Sequence, residues 1–175
     1  GANHSMALKA DGTLWAWGQN TSGQLGLGNN SNYNTPQQVS GSNWIAINAG
    51  AEHSIAYRAD GSIWSWGDNG YGQLGLGNNT NFNTPQQVSQ PAIVHMFAGP
   101  EAYHTGIIKD TRSLICLAGH NDHGQLGDSS TIDKNTFNCL NECVIPGITI
   151  SVAPGNSICA NDTATFTASV TNGGP

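Results

Sequence analysis

The sequence predicts an all-β chain assembled from repeated four-stranded antiparallel units, and three observations lead there. First, one stretch is written twice: "DGTLWAWGQNTSGQLGLGNN" at 11–30 returns as "DGSIWSWGDNGYGQLGLGNN" at 60–79. Trp15 and Trp64, Trp17 and Trp66, Gly23 and Gly72, and Pro36 and Pro85 are each 49 positions apart. A fixed period of this size marks a repeat architecture. Second, each unit consists of short strand-like runs bounded by Gly, Asn and Pro, with no room for a helical period of ten or so residues. Third, "TLWAW" and "SIWSW" are apolar at successive positions, a pattern that covers both faces of a strand.

Within one unit the elements follow in order. The chain opens on "GANHSMALKA", already the interior of a repeat, so residue 1 reads as a cut in a longer polypeptide. Two strands, "HSMALKA" and "TLWAWG", flank Asp11-Gly12, and the same hairpin recurs at Asp60-Gly61. A two-residue Asp-Gly loop suits a type I′ turn, whose two central residues both need positive φ. "GQLGLGNN" follows as a turning loop. "TPQQV" is a short strand with Pro36 or Pro85 near its start, where a missing N–H costs least. "WIAINAG" in one copy and "IVHMFAG" in the next complete the unit.

Along "TLWAW", Leu14 and Ala16 point one way and Trp15 and Trp17 the other. A sheet packed on both sides by like sheets meets that demand, and blades set radially around a channel, a β-propeller, are one such solution. Each buried Trp covers on the order of 150–250 Å², making the Trp pair a main contact between blades. The strand count predicts half a blade followed by two full blades, at about 35–67 and 84–119. A partial β-propeller of four-stranded antiparallel blades is one fold class that fits these counts.

"AGAEHSIAYRADGSIWSWGDNGYGQLGLGNN…TPQQV" resembles the regulator of chromosome condensation repeat over roughly residues 1 to 128. The resemblance rests on Ala49-Gly50, His53-Ser54, Asp60-Gly61, Trp66-Gly67, Asn69 and Gly72-Gln73-Leu74-Gly75, several of which occur together in order twice. It implies a seven-bladed propeller. His53, Asp60, Gly61, Trp64, Trp66, Gly67, Gly72, Gln73, Leu74 and Gly75 are then structural framework.

A third copy, "AGPEAYHTGIIKD…AGHNDHGQLGDSS", is degenerate. His104-Thr105 replaces His-Ser, "DTRS" replaces the Asp-Gly hairpin, and Cys116 and Ala118 stand where Trp64 and Trp66 stood. Terminal repeats are often atypical, so this copy reads as the last of its array or as the neighbour of something different. The repeats occupy 1–145. From Pro146 alternation at Ile148, Ile150, Val152 and at Ala164, Phe166, Ala168, Val170 suggests two strands. That segment, 146–175, resembles the first strands of a bacterial immunoglobulin-like β-sandwich, truncated before the strand that would carry the partner of Cys159.

Four cysteines among 175 residues point to an oxidising compartment. Cys139 and Cys143 could bridge to each other or to Cys116. His120-x2-His123 followed by Cys139-x3-Cys143 echoes a zinc set. Its spacing is loose, its order is inverted, and the histidines fall at the loop positions of Asp68 and Tyr71. Disulfides or free thiols are the preferred reading, and no metal is assigned.

Charged residues make up only 9% of the chain, with five Lys and Arg and a net charge of −6. That excludes the clustered basic surface a nucleic-acid partner needs. No apolar run reaches the length of a membrane span. His4, His53 and His104 each precede a Ser or Thr. A residue repeated in every unit does the same structural job in each, so these are hydrogen-bonding positions rather than nucleophile-base pairs. "GQLGLG" lacks the Lys and helix start of a phosphate loop. The chain is therefore expected to be no enzyme and to need no cofactor.

Binding is the better expectation. Thr21-Ser22, Gly70-Tyr71 and Asp122-His123 occupy equivalent loop places with different residues, as an asymmetric partner surface requires. Tyr33 and Phe82 share another place, either as exposed contacts, since aromatics are enriched at hot spots, or packed inward. The partner-binding candidates are thus Tyr33, Phe82, Tyr71, Asp122 and His123. One branch of the resembled family promotes nucleotide exchange on a small nuclear GTPase and binds chromatin; others bind protein partners. The acidic balance and the tail favour a recognition scaffold within a secreted or cell-surface bacterial protein. The two alternatives are an exchange-factor relative and an accessory module of a polysaccharide-active enzyme. The remaining blades would come from a longer chain or from self-association.

Overall fold

The computed structural model describes residues 1–90, 93–109 and 114–140. The expected immunoglobulin-like strands, Cys143, Cys159 and the "DTRS" hairpin lie outside the described residues. Eleven strands and no helix are found in the described part. They are β1 (His4–Leu8), β2 (Leu14–Gly18), β3 (Tyr33–Gln38), β4 (Trp44–Ala49), β5 (His53–Arg58), β6 (Ile63–Gly67), β7 (Phe82–Val88), β8 (Ile93–Phe97), β9 (His104–Lys109), β10 (Leu114–Gly119) and β11 (Lys134–Cys139). They form three antiparallel sheets in sequence order: β1-β2-β3, β4-β5-β6-β7 and β8-β9-β10-β11.

The grouping differs from the sequence expectation. The "TPQQ" strand closes a sheet instead of opening the next one. Trp15 pairs with Gln38 and Trp64 with Gln87, because the glycine loop folds each strand back onto its own hairpin. The four-stranded sheets therefore run from Trp44 to Val88 and from Ile93 to Cys139, and the first sheet has three strands, not two. Pro36 and Pro85 lie on edge strands inside a register shift, opposite Ala16–Gly18 and Ser65–Gly67. A residue without an N–H disturbs no ladder bond there.

The hairpin chemistry also differs. Gly12 and Gly61 have φ of +77° and +86°, but neither Asp11 nor Asp60 is left-handed. Gly12 N–H donates to the Lys9 carbonyl and Lys9 N–H to the Thr13 carbonyl, both at 3.0 Å. This is a three-residue loop with one left-handed glycine, not a type I′ turn. The Asp11 carboxylate accepts from the Thr13 amide at 2.9 Å, and Asp60 accepts from Ser62 at the same distance. That local bond holds the aspartate in a right-handed turn, so only the glycine needs positive φ.

Two joints hold the three sheets together. Between the first and second sheets, Leu14, Ala16, Leu25, Val39, Trp44, Ala56 and Trp66 form one buried cluster, with Trp64 packed at its margin. Between the second and third, Ile55, Ile63, Val88, Ile93, Ile107, Cys116, Ala118 and Phe137 form another. At both joints the glycine loop of one sheet crosses to the edge strand of the next. Gly28 N–H donates to the Asn83 carbonyl at 2.8 Å and Gly77 N–H to the Asn135 carbonyl at 2.7 Å.

Candidate functional site

The repeated polar residues are absorbed by the joints. His4 Nε2 lies 3.0 Å from Ser54 Oγ in the next sheet, and His53 Nε2 lies 2.7 Å from Thr105 Oγ1 in the one after. Ser54 Oγ donates its only proton to the Gln24 carbonyl at 2.7 Å. His4 must therefore carry its proton on Nε2 and donate to the serine, which is the reverse of general-base activation. Burial holds both imidazoles neutral, lowering His4 to about 4 and His53 to about 3.

The glycine loops are likewise self-contained. The buried Asn20, Asn69 and Asn121 each accept from a leucine amide of "GQLG" through Oδ1, at 2.9, 3.0 and 2.8 Å. Gly23, Gly26, Gly72 and Gly75 amides donate to carbonyls within their own loops. No fan of amides is left to cradle a phosphate. Cys116 and Cys139 form a disulfide across β10 and β11, one of the pairings the sequence leaves open. Cys139 is thereby committed to sulfur and unable to serve as a thiolate zinc ligand.

A set of loop residues that differ between copies gathers at one rim, where β2, β6 and β10 end and β1, β5 and β9 begin. Three repeat-equivalent backbone bonds define it: Gln19 to Asn3, Asp68 to Glu52 and His120 to Tyr103. At the first joint, Ser22 Oγ donates to Glu52 Oε2 at 2.8 Å. At the same place in the second joint, Tyr71 meets Tyr103 edge to face, with ring centroids 5.7 Å apart. Tyr71 also lies over His120, centroid to centroid 4.2 Å. Both tyrosines stay open to solvent, 39% and 38% exposed.

Acidic groups surround this stack. Asp122 Oδ1 lies 3.5 Å from His120 Nε2 and 2.6 Å from His123 Nδ1. Partial burial, then the charges of Glu52, Asp68 and Glu101, raise the Tyr103 phenol above its ordinary value. The hydrogen bond from His123 lowers the Asp122 carboxyl first, with Gln125 and the two histidines adding to it.

The structure brings Tyr71, Asp122 and His123 to the rim, but His123 touches only Asp122 by side chain and is otherwise in solvent. Tyr33 packs against the first buried cluster and accepts from Asn29 at 3.3 Å, which is the inward alternative. Phe82 is half-buried at the start of β7. Neither Tyr33 nor Phe82 joins the stack. Sequence reasoning does not single out Tyr103, and it raises His120 only as a rejected metal ligand. The signal is nonetheless present in the three-way comparison of copies. Asn3, Glu52 and Tyr103 align, as do Gln19, Asp68 and His120, and both places change chemistry in an otherwise repeated frame.

A family model described as the regulator of chromosome condensation (RCC1) repeat matches residues 11–57 and 60–108, and a second model of the same repeat matches 44–73. The chain is 55% identical over 40 residues to the human X-linked retinitis pigmentosa GTPase regulator, covering 23% of this chain and 4% of that protein. It is 51% identical over 39 residues to the ultraviolet-B receptor UVR8 of Arabidopsis thaliana, covering 22% and 9%. Among solved structures, Prp20p of Saccharomyces cerevisiae superposes with a TM-score of 0.72 at 19% identity, over 82% of this chain and 37% of that one. Human WBSCR16 gives 0.68 at 20%, over 79% and 36%. The chain thus spans little more than a third of either structure and under a tenth of either curated relative, and at these identities the structural likeness bears on fold alone. The three sheets match the propeller blades of these structures.

Proposed function

The chain belongs to the regulator of chromosome condensation (RCC1) repeat family, and from that premise we propose that it is a non-catalytic protein-recognition scaffold whose contact surface is the rim at the second joint. The observation that carries this is the exposed Tyr71–Tyr103–His120 stack, set on a frame whose repeated residues are otherwise spent on internal bonds. Aromatic side chains supply large rigid contact area and are enriched at binding hot spots. Prp20p binds Gsp1p and histones, so protein binding has precedent within the fold. An exchange-factor role would additionally require a GTPase surface, which nothing at this acidic rim favours.

We place the protein outside the cell or on its surface. The Cys116–Cys139 disulfide supports this, because such bonds persist in oxidising compartments. The first and third sheets each leave a face without a neighbouring sheet among the described residues. Trp15 and Trp17 are only half-buried on one, and Phe97 and Ile115 are exposed on the other. Further blades, from a longer chain or a second copy, would cover them.

The test is a loop exchange. Replacing residues 68–71 and 120–123 with the sequence of 19–22 should abolish capture of the protein partners retained by the immobilised wild-type chain, with the thermal midpoint unchanged. Capture that survives the exchange, or that is lost only by altering the Asp11 and Asp60 hairpins at the opposite end, would overturn the assignment. Accelerated nucleotide release from a small GTPase would restore the exchange-factor reading.

A further inference from the structure

Resting on the recognition reading, we infer that the Tyr71–Tyr103–His120 stack is a seat for an arginine side chain of the partner protein. Elsewhere the sheets already hold cations on aromatic faces. At the end opposite the rim, Arg58 lies over Trp44 and Trp64 with its guanidinium carbon 4.2 Å from each ring, and Lys9 lies 4.0 Å from Trp15. Among the described residues the rim stack has no such occupant, although Tyr71 and Tyr103 are both open to solvent. Lys134, at the same end of β10 and β11, is paired with Asp128 at 3.3 Å. Lys109 ends β9 at the far side.

The charge around the stack is one-sided. Glu52 and Asp68 have neutral hydrogen-bond partners, Ser22 and Gln73. Among the described residues, Glu101 makes no ion pair, and Asp122 meets the two histidines and Gln125. Four carboxylates therefore border an exposed aromatic surface with no resident Lys or Arg among the described residues. A planar guanidinium answers both features at once: its face stacks on tyrosine and its edge donates to carboxylate. Lysine satisfies the charge but not the stacking, which makes arginine the better fit.

A fluorescein-labelled Gly-Arg-Gly-Arg-Gly peptide, with lysine and citrulline counterparts, tests this by anisotropy on the full chain at low salt. Saturable binding should follow the order arginine, lysine, citrulline. Tyr71→Ala and Tyr103→Ala should each weaken arginine binding about fivefold or more. Tyr71→Phe should stay within about twofold, because the ring and not the hydroxyl makes the contact. Glu101→Gln should weaken binding and flatten its salt dependence. Circular dichroism of each variant separates lost contact from lost fold. Equal binding of the citrulline peptide, wild-type affinity in both alanine variants, or no saturation in the millimolar range would each refute the arginine seat. If the loop exchange still removes partner capture in that case, the recognition surface stands and only its cationic ligand falls.

Discussion

The two joints are built to one plan and filled in two ways. At the first, Trp44 meets Trp64 and Trp66 at 6.2 Å each, and the Trp66 indole N–H donates to the Gln24 carbonyl at 2.9 Å. At the second, Ile93, Cys116 and Ala118 take those three places, and the space is filled from another strand. A Cβ on Gly26 would sit 2.7 Å from the Trp66 ring; one on Gly75 would sit 2.3 Å from Phe137. Phe137 occupies the position of Pro85, one strand over from the lost tryptophan. The Trp64–Gln87 cross-strand pair is likewise replaced by the Cys116–Cys139 disulfide. The crossing loop and its glycines are thus the fixed part of a joint, while the side chain beneath them is interchangeable provided the volume is kept.

The strongest way to break the comparison is Trp66→Ala, which empties a buried site and orphans the Gln24 carbonyl of one donor. Urea denaturation should report a loss of roughly 3–5 kcal/mol. Adding Pro85→Phe rewrites the first joint in the manner of the second and should recover part of that loss; no recovery would mean the two fillings are not equivalent. Replacing Cys116 and Cys139 together by Val should cost roughly 2–4 kcal/mol, and a neutral outcome would show that the packing of Ile107 and Phe137 suffices alone.

Acid tests what the joints share. His4 and His53 titrate near 4 and 3 when folded, below their unfolded value of 6.5. The unfolded chain thus binds more protons between those limits. The stability these histidines contribute is full above pH 6.5 and is lost as pH falls toward 4 and 3, by about 1.4 kcal/mol per pH unit for each. Urea midpoints between pH 7 and 5 should drop accordingly, and His53→Gln should reduce the slope. The smallest effect belongs to the hairpins. Asp11→Ala and Asp60→Ala should lower the thermal midpoint slightly and equally, since both make the same bonds; unequal losses would mean the copies differ where they look most alike.

Repetition makes the fold class legible, because Trp15/Trp64 and Gly23/Gly72 align without any structure. Blade phase is not legible, since the period of a repeat says nothing about where its sheet begins. That depends on the glycine loop returning Gln38 to Trp15 and Gln87 to Trp64. The hairpin type is hidden because Asp-Gly is compatible with two loop lengths, and the deciding bond, Asp to the residue two places on, is invisible in a dipeptide. The rim is half legible. Tyr71 and Asp122 stand out as differences between equivalent loops of two copies, whereas Tyr103 comes from another segment, and both it and His120, two residues before Asp122, meet Tyr71 only across the joint.

We propose that the repeated glycine loops build the joints and that the residues that differ at the rim of the second joint do the binding. Converting Tyr71 and Tyr103 together to Ser, with every carboxylate left in place, tests this division most directly. Arginine-peptide affinity should fall about tenfold or more, as expected for two lost aromatic contacts, with the thermal midpoint unchanged. Unchanged affinity, or a loss that merely tracks unfolding, would contradict it.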